Sequence, residues 1–125
     1  MPSENLDPLT LLREIVLALP EVAERESHGE PAWFVRKRLI ASYADHHHDE
    51  RVAVWCAAPP GVQEALIEEN SHRFFRPPYV GARGWIGIDL DRPGELDWNE
   101  VAELLTDAYR MVAPKRLIEE LDRHT

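Results

Sequence analysis

The apolar positions of this chain change period twice. Leu9, Leu12, Val16 and Leu19 recur at helical spacing and form one stripe. Asp7 is placed to cap that helix, Pro8 suits its first position, and Pro20 stops it. Residues 21–30 (EVAERESHGE) are mostly polar, with a turn-forming His28-Gly29, and read as a connection.

The period then shortens to that of a strand. Ala32–Val35 and Leu39–Tyr43 are short and rich in aromatic or β-branched residues, which predicts a hairpin with Arg36-Lys37-Arg38 at its tip. A polar loop, 45–50, leads into a third strand at 51–57. Pro59-Pro60-Gly61 ends it and opens a short helix to about Asn70, with Val62, Ala65 and Leu66 facing inward. Residues 73–76 are a brief strand or an extended lead into Pro77-Pro78-Tyr79. Trp85–Leu90 is a further strand, closed by the turn Asp91-Arg92-Pro93-Gly94.

The C-terminal part is helical. Asp97 with Glu100 makes an Asp version of the capping box, and Trp98, Val101, Leu105, Ala108 or Tyr109 and Val112 follow at core spacing. Ala113-Pro114 interrupts. Residues 115–123 then form a last helix that buries Leu117, Ile118 and Leu121. The order helix, meander, helix predicts a single α+β domain over residues 1–125, an antiparallel β-sheet covered on one face by the N- and C-terminal helices.

Alternation within the strands says more. Val52, Val54 and Cys56 share one face with Ile86, Ile88 and Leu90 of the later strand, and these aliphatic rows should meet the helices. Trp55 and Trp85 then project from the other face among Ala53, Ala57 and Gly87, a candidate binding platform. The plainer alternative is that the two indoles cover each other or lie beneath the loop 77–84.

Composition removes several classes. A chain of 125 residues with 44% hydrophobic and 30% charged residues is an ordinary folded domain without an apolar run of membrane length. The segment MPSENLDP has neither the basic nor the apolar region of an export signal, and one cysteine, Cys56, excludes an internal disulfide. A cytoplasmic monomer without cofactor is the expectation. The net charge of -9, from 23 acidic against 14 basic residues, opposes strong nonspecific binding to a polyanion. The bases are uneven, however. Arg73, Arg76, Arg83 and Arg92 gather between 71 and 92, and Arg36, Lys37 and Arg38 form a second knot.

Arg76-Pro-Pro-Tyr-Val-Gly-Ala-Arg-Gly-Trp85, Asp97–Leu105, Tyr109–Leu117, Leu19-Pro20, Ser27–Pro31 and the hairpin Phe34–Lys37 together resemble the MmcQ/YjbR family over nearly the whole chain. The resemblance implies a CyaY-like (frataxin-like) fold. It also implies DNA binding, through likeness to a double-wing DNA-binding fold, which is analogy at the level of fold alone. By position, Arg36, Lys37 and Arg38 would form a phosphate-touching wing tip, and Arg73, Arg76 and Arg83 a second basic cluster beside Tyr79 and Trp85. With Trp55 these nine are the candidate binding residues, for DNA or alternatively for a protein or small ligand on the same sheet face. The family hairpin carries glycine before its lysine where this chain has Arg36.

Other constellations are weaker. Adjacent residues such as His46-His47-His48 seldom converge on one ion, so no metal site is assigned. A Cys56–His28 nucleophilic pair is disfavoured because Cys56 lies on the predicted core face, and no catalytic residue is named. Gly81-Ala-Arg-Gly84 mimics the GXXG loop of KH domains but leads into a strand rather than a helix. Asp97, Glu100, Glu103 and Asp107 read as a solvated helix face with a cap. Trp98 and Tyr109 are assigned to packing.

Overall fold

The fold is given by a computed structural model that describes residues 7–45, 51–91 and 96–124. The His46–His48 loop and the turn at Arg92-Pro93-Gly94 lie outside the described residues.

Helix α1 spans Pro8–Val16, with the Asp7 carboxylate accepting from the Thr10 amide at 2.8 Å. It ends earlier than Pro20, at a C-cap on Leu17, and Leu19 is buried from the turn that follows. The sheet begins at once. Residues 21–30, read from sequence as a connection, contain strand β1, Val22–Ser27, paired antiparallel with β2, Glu30–Val35. β3 (Arg38–Asp45), β4 (Val52–Cys56) and β6 (Ile86–Asp89) follow, with the two-residue β5 (Phe74–Phe75) on the far edge. The order is β1-β2-β3-β4-β6-β5, all antiparallel.

Both hairpin turns have two residues with positive φ at the centre, His28 (54°) with Gly29 (81°) and Arg36 (50°) with Lys37 (71°). That backbone matches the right-handed twist of the flanking strands. Arg36 and Lys37 therefore occupy a turn that glycine fills at less cost. β3 carries a bulge at Ile40, where the register passes from Trp33–Ala41 to Phe34–Leu39.

The register places Trp33, Ala41, Val54, Cys56, Ile86 and Ile88 in rows on one face, and all are buried. Helix α3 (Trp98–Val112) packs on this face over β3 and β4, beside α1, and α4 (Lys115–Arg123) completes the layer. Its core residues are Val101, Leu105, Ala108 and Tyr109 from α3 with Leu117 and Leu121 from α4. The Tyr109 hydroxyl donates to the Pro20 carbonyl at 2.8 Å, which ties α3 to the end of the first turn. Helix α2 (Val62–Glu69) departs from expectation: Ala65 is exposed, and the buried side chain is Gln63.

Candidate functional site

The face of the sheet opposite α1 and α3 carries Ala32, Phe34, Ser42, Ala53, Trp55 and Gly87, as alternation with the core rows requires. Its aromatics are partly stacked. Arg25 lies over Phe34 at 5.5 Å and Arg51 over Phe75 at 4.1 Å. The Phe75 ring sits directly on Gly87, where an added Cβ would fall 2.4 Å from Cζ. Glycine is the residue that this approach permits.

Beside that stack, Trp55 opens into a cleft of about 510 Å³. The sheet contributes Leu39, Ser42, Ala44 and Trp55, the β1–β2 turn contributes Ser27, His28 and Glu30, and the segment Pro78–Val80 closes the third side. Tyr79 stands at this rim with 81% of its surface exposed. Its backbone is unusual: φ 63° and ψ -70°, with the Val80 amide donating to the Pro78 carbonyl at 2.7 Å. This is a γ-turn of the rare positive-φ hand, strained for any residue with a side chain.

The turn persists because its surroundings fix it. The Gly81 amide donates to the Pro77 carbonyl at 3.0 Å, and the 3₁₀ turn Val80–Arg83 ends on Gly84 at φ 87°. Buried Gln63 reaches from α2 to donate to the carbonyls of Gly81 (2.9 Å) and Trp85 (2.6 Å). The Arg76 side chain crosses Gly81, where an added Cβ would fall 2.6 Å from Cγ. Arg76 thus braces the loop that presents Tyr79.

The nine residues picked from sequence separate into groups. Trp55 and Tyr79 meet at the cleft just described. Arg38, Arg83 and Trp85 line a second, smaller cleft of about 350 Å³ with Met111 and Val112 at the end of α3. Trp85 does not project as an open platform: it is 6% exposed, and the Arg83 guanidinium lies 5.4 Å from its ring. Arg36 pairs with Glu21 at 2.8 Å and Arg73 with Glu100 at 2.8 Å, so neither cation is without a counter-charge. Lys37 is exposed at the hairpin tip. Leu39 lines both clefts.

Cys56 is buried on the helix-covered face, and burial pushes its thiol up to about 12, while His28 is exposed in the β1–β2 turn. The two do not form a nucleophilic pair. No group of three or more His, Cys, Asp or Glu side chains is placed to hold a metal among the described residues, and none of their helices is long and apolar enough to cross a membrane. Glu30, Ser42 and Gln63 were not singled out from sequence. Glu30 would have followed from recognising β1, because pairing with Ser27 puts it on the open face.

Among the described residues, a six-stranded antiparallel sheet, helices on one face and a hydrogen-bonded loop over the other define an α+β domain with an open-face cleft. The YjbR family matches residues 17–111, and the chain is a member of it. It is 30% identical over 119 residues to the uncharacterized protein Rv2570 of Mycobacterium tuberculosis (strain H37Rv), an alignment covering 84% of this chain and 88% of that one. The uncharacterized protein Mb2600 of Mycobacterium bovis matches to the same extent. The crystal structure of Deinococcus radiodurans protein DR2400, with a DUF419 domain, superposes with a TM-score of 0.73 at 18% identity, over 87% of this chain and 80% of that one. That likeness is one of fold.

Proposed function

We propose that the protein is a binding module that takes a small ligand in the cleft over Trp55. The observation that carries this reading is the pairing of Trp55 in the sheet with Tyr79 at the rim, the latter held in a strained turn by contacts reaching as far as α2. Strain is retained where the surrounding structure over-determines it, which is common at ligand-binding loops. The cleft lies within the roughly 300–1,000 Å³ usual for small-molecule sites, and it is mostly apolar with a few polar groups.

The test is a titration of ¹⁵N-labelled protein with water-soluble aromatic fragments, neutral and charged. Shifts confined to Trp55, Tyr79, Ser42 and Glu30 are expected. Shifts scattered over the surface, or none, would remove the reading.

DNA is the second reading, favoured by the approach of Arg38 and Arg83 around Trp85 with Lys37 nearby in sequence at the hairpin tip. The ion pairs of Arg36 and Arg73 weaken it, since each phosphate contact there must displace a carboxylate. Fluorescence anisotropy with labelled duplex and single-stranded DNA decides it. Absence of binding at micromolar protein in low salt, the most permissive condition, excludes DNA.

A further inference from the structure

We infer that the Trp55 cleft selects an organic cation, an ammonium group carried on an apolar body. The inference rests on the small-ligand reading above and gives it a chemical class.

The charge of the lining comes first. Among the described residues neither lysine nor arginine lines this cleft, whereas Glu30 does, with His28 as the other titratable residue of the β1–β2 turn. Glu30 is partly buried and forms no ion pair among the described residues. The two arginines stacked on the same sheet face, Arg25 and Arg51, lie over Phe34 and Phe75 and do not line the cleft. Arg38 and Arg83 line the other one.

A ligand entering here covers Glu30. A neutral apolar ligand removes water from the carboxylate and returns nothing, and an anion adds repulsion to that cost. A cation supplies the missing partner. Trp55 and Tyr79 favour the same choice, because the face of an aromatic ring attracts a positive charge. At about 510 Å³ the cleft has room for an apolar body as well as the ammonium group.

Three near-isosteric probes separate charge from shape: phenethylamine (protonated in mildly alkaline buffer), 2-phenylethanol and phenylacetate. Binding is followed at the Trp55 indole N–H in ¹H–¹⁵N spectra, assigned with Trp55→Phe. Phenethylammonium should bind roughly 3- to 30-fold more tightly than the alcohol, the fold-change expected of a cation–π contact with a carboxylate nearby. Phenylacetate should bind least. Glu30→Gln, checked for an unchanged melting temperature, should reduce the amine preference to the part that the aromatic rings supply. Equal affinities of amine and alcohol at Trp55 would overturn the cation assignment and leave the cleft as a ligand site. Tighter binding of phenylacetate, or an amine preference that Glu30→Gln leaves undiminished, would overturn it too. If no probe moves the Trp55 signal, the small-ligand reading falls with it.

Discussion

The Trp33 indole, with no solvent exposure, donates its Nε1–H to Glu24 Oε1 at 2.9 Å. The same carboxylate receives Arg13 from α1, at 2.9 Å from Nε and 2.8 Å from Nη2. One acidic side chain on an edge strand therefore joins the first helix to the second strand and satisfies a buried donor. The Arg13 guanidinium, chiefly, and the Trp33 N–H hold the Glu24 carboxyl below the ordinary value of 4.5 against the opposing effect of burial.

Glu24→Gln should cost about 1–2 kcal/mol at neutral pH, the loss of a charged hydrogen-bond partner. A carboxyl whose pKa is depressed on folding stabilises the protein above its unfolded pKa, and that stabilisation is lost as pH falls through the folded value. Urea denaturation of both proteins should therefore show their stability gap closing below about pH 4.5. A gap independent of pH would show that the charge of Glu24 contributes nothing.

The β2–β3 turn holds a removable cost. Lys37 sits at φ 71°, a conformation that disfavours any side chain by about 1–2 kcal/mol, while glycine loses about 0.5–1 kcal/mol in unfolded-chain entropy. Lys37→Gly should raise the urea midpoint by the equivalent of about 0.5–1 kcal/mol with an unchanged slope. Arg36 is the poorer target because its pair with Glu21 would be lost as well. A lower midpoint would mean that the lysine side chain stabilises this turn.

Helices α1, α3 and α4 and the central strands follow from apolar period in the sequence, because their buried rows meet in one layer. Strand β1 did not, for a physical reason. It is an edge strand, and charged residues are how such edges avoid pairing with other chains. Its inward row is Val22, Glu24 and Glu26, and Glu24 is acceptable there only because Arg13 and Trp33 reach it. No local pattern encodes such partners. The same holds for the site. Strand alternation put Trp55 on the open face, but the clustering of arginines in sequence did not predict that Glu21 and Glu100 would bind two of them. Nor did helical spacing predict Gln63, whose burial depends on two carbonyls of a distant loop.

Gly87 tests the packing of the open face. Replacing its hydrogen with a methyl group puts Cβ 2.4 Å from Phe75 Cζ, so the ring must move, and with it the contact to Arg51. Gly87→Ala should cost about 1–3 kcal/mol by urea denaturation, the usual penalty of overpacking. A neutral result would mean that β5 and its phenylalanine are free to shift.

Tyr79 separates strain from function. Its γ-turn at φ 63° and ψ -70° costs on the order of 1–3 kcal/mol, and the contacts of Gln63, Gly81 and Pro77 sustain it. If the turn only connected two elements, glycine would serve better, since it adopts this backbone without a Cβ penalty. Tyr79→Gly should therefore leave the melting temperature unchanged or raise it by a few degrees, as relief of about 1 kcal/mol does in a domain of this size. The same substitution should weaken phenethylammonium at the Trp55 cleft several-fold through loss of the ring. Tyr79→Phe, which keeps the ring and the turn, should retain most of the affinity. Stability that rises while affinity falls would place the cost of this turn at the service of binding; stability that rises with affinity unchanged would make Tyr79 an exposed residue in an awkward corner and remove it from the site.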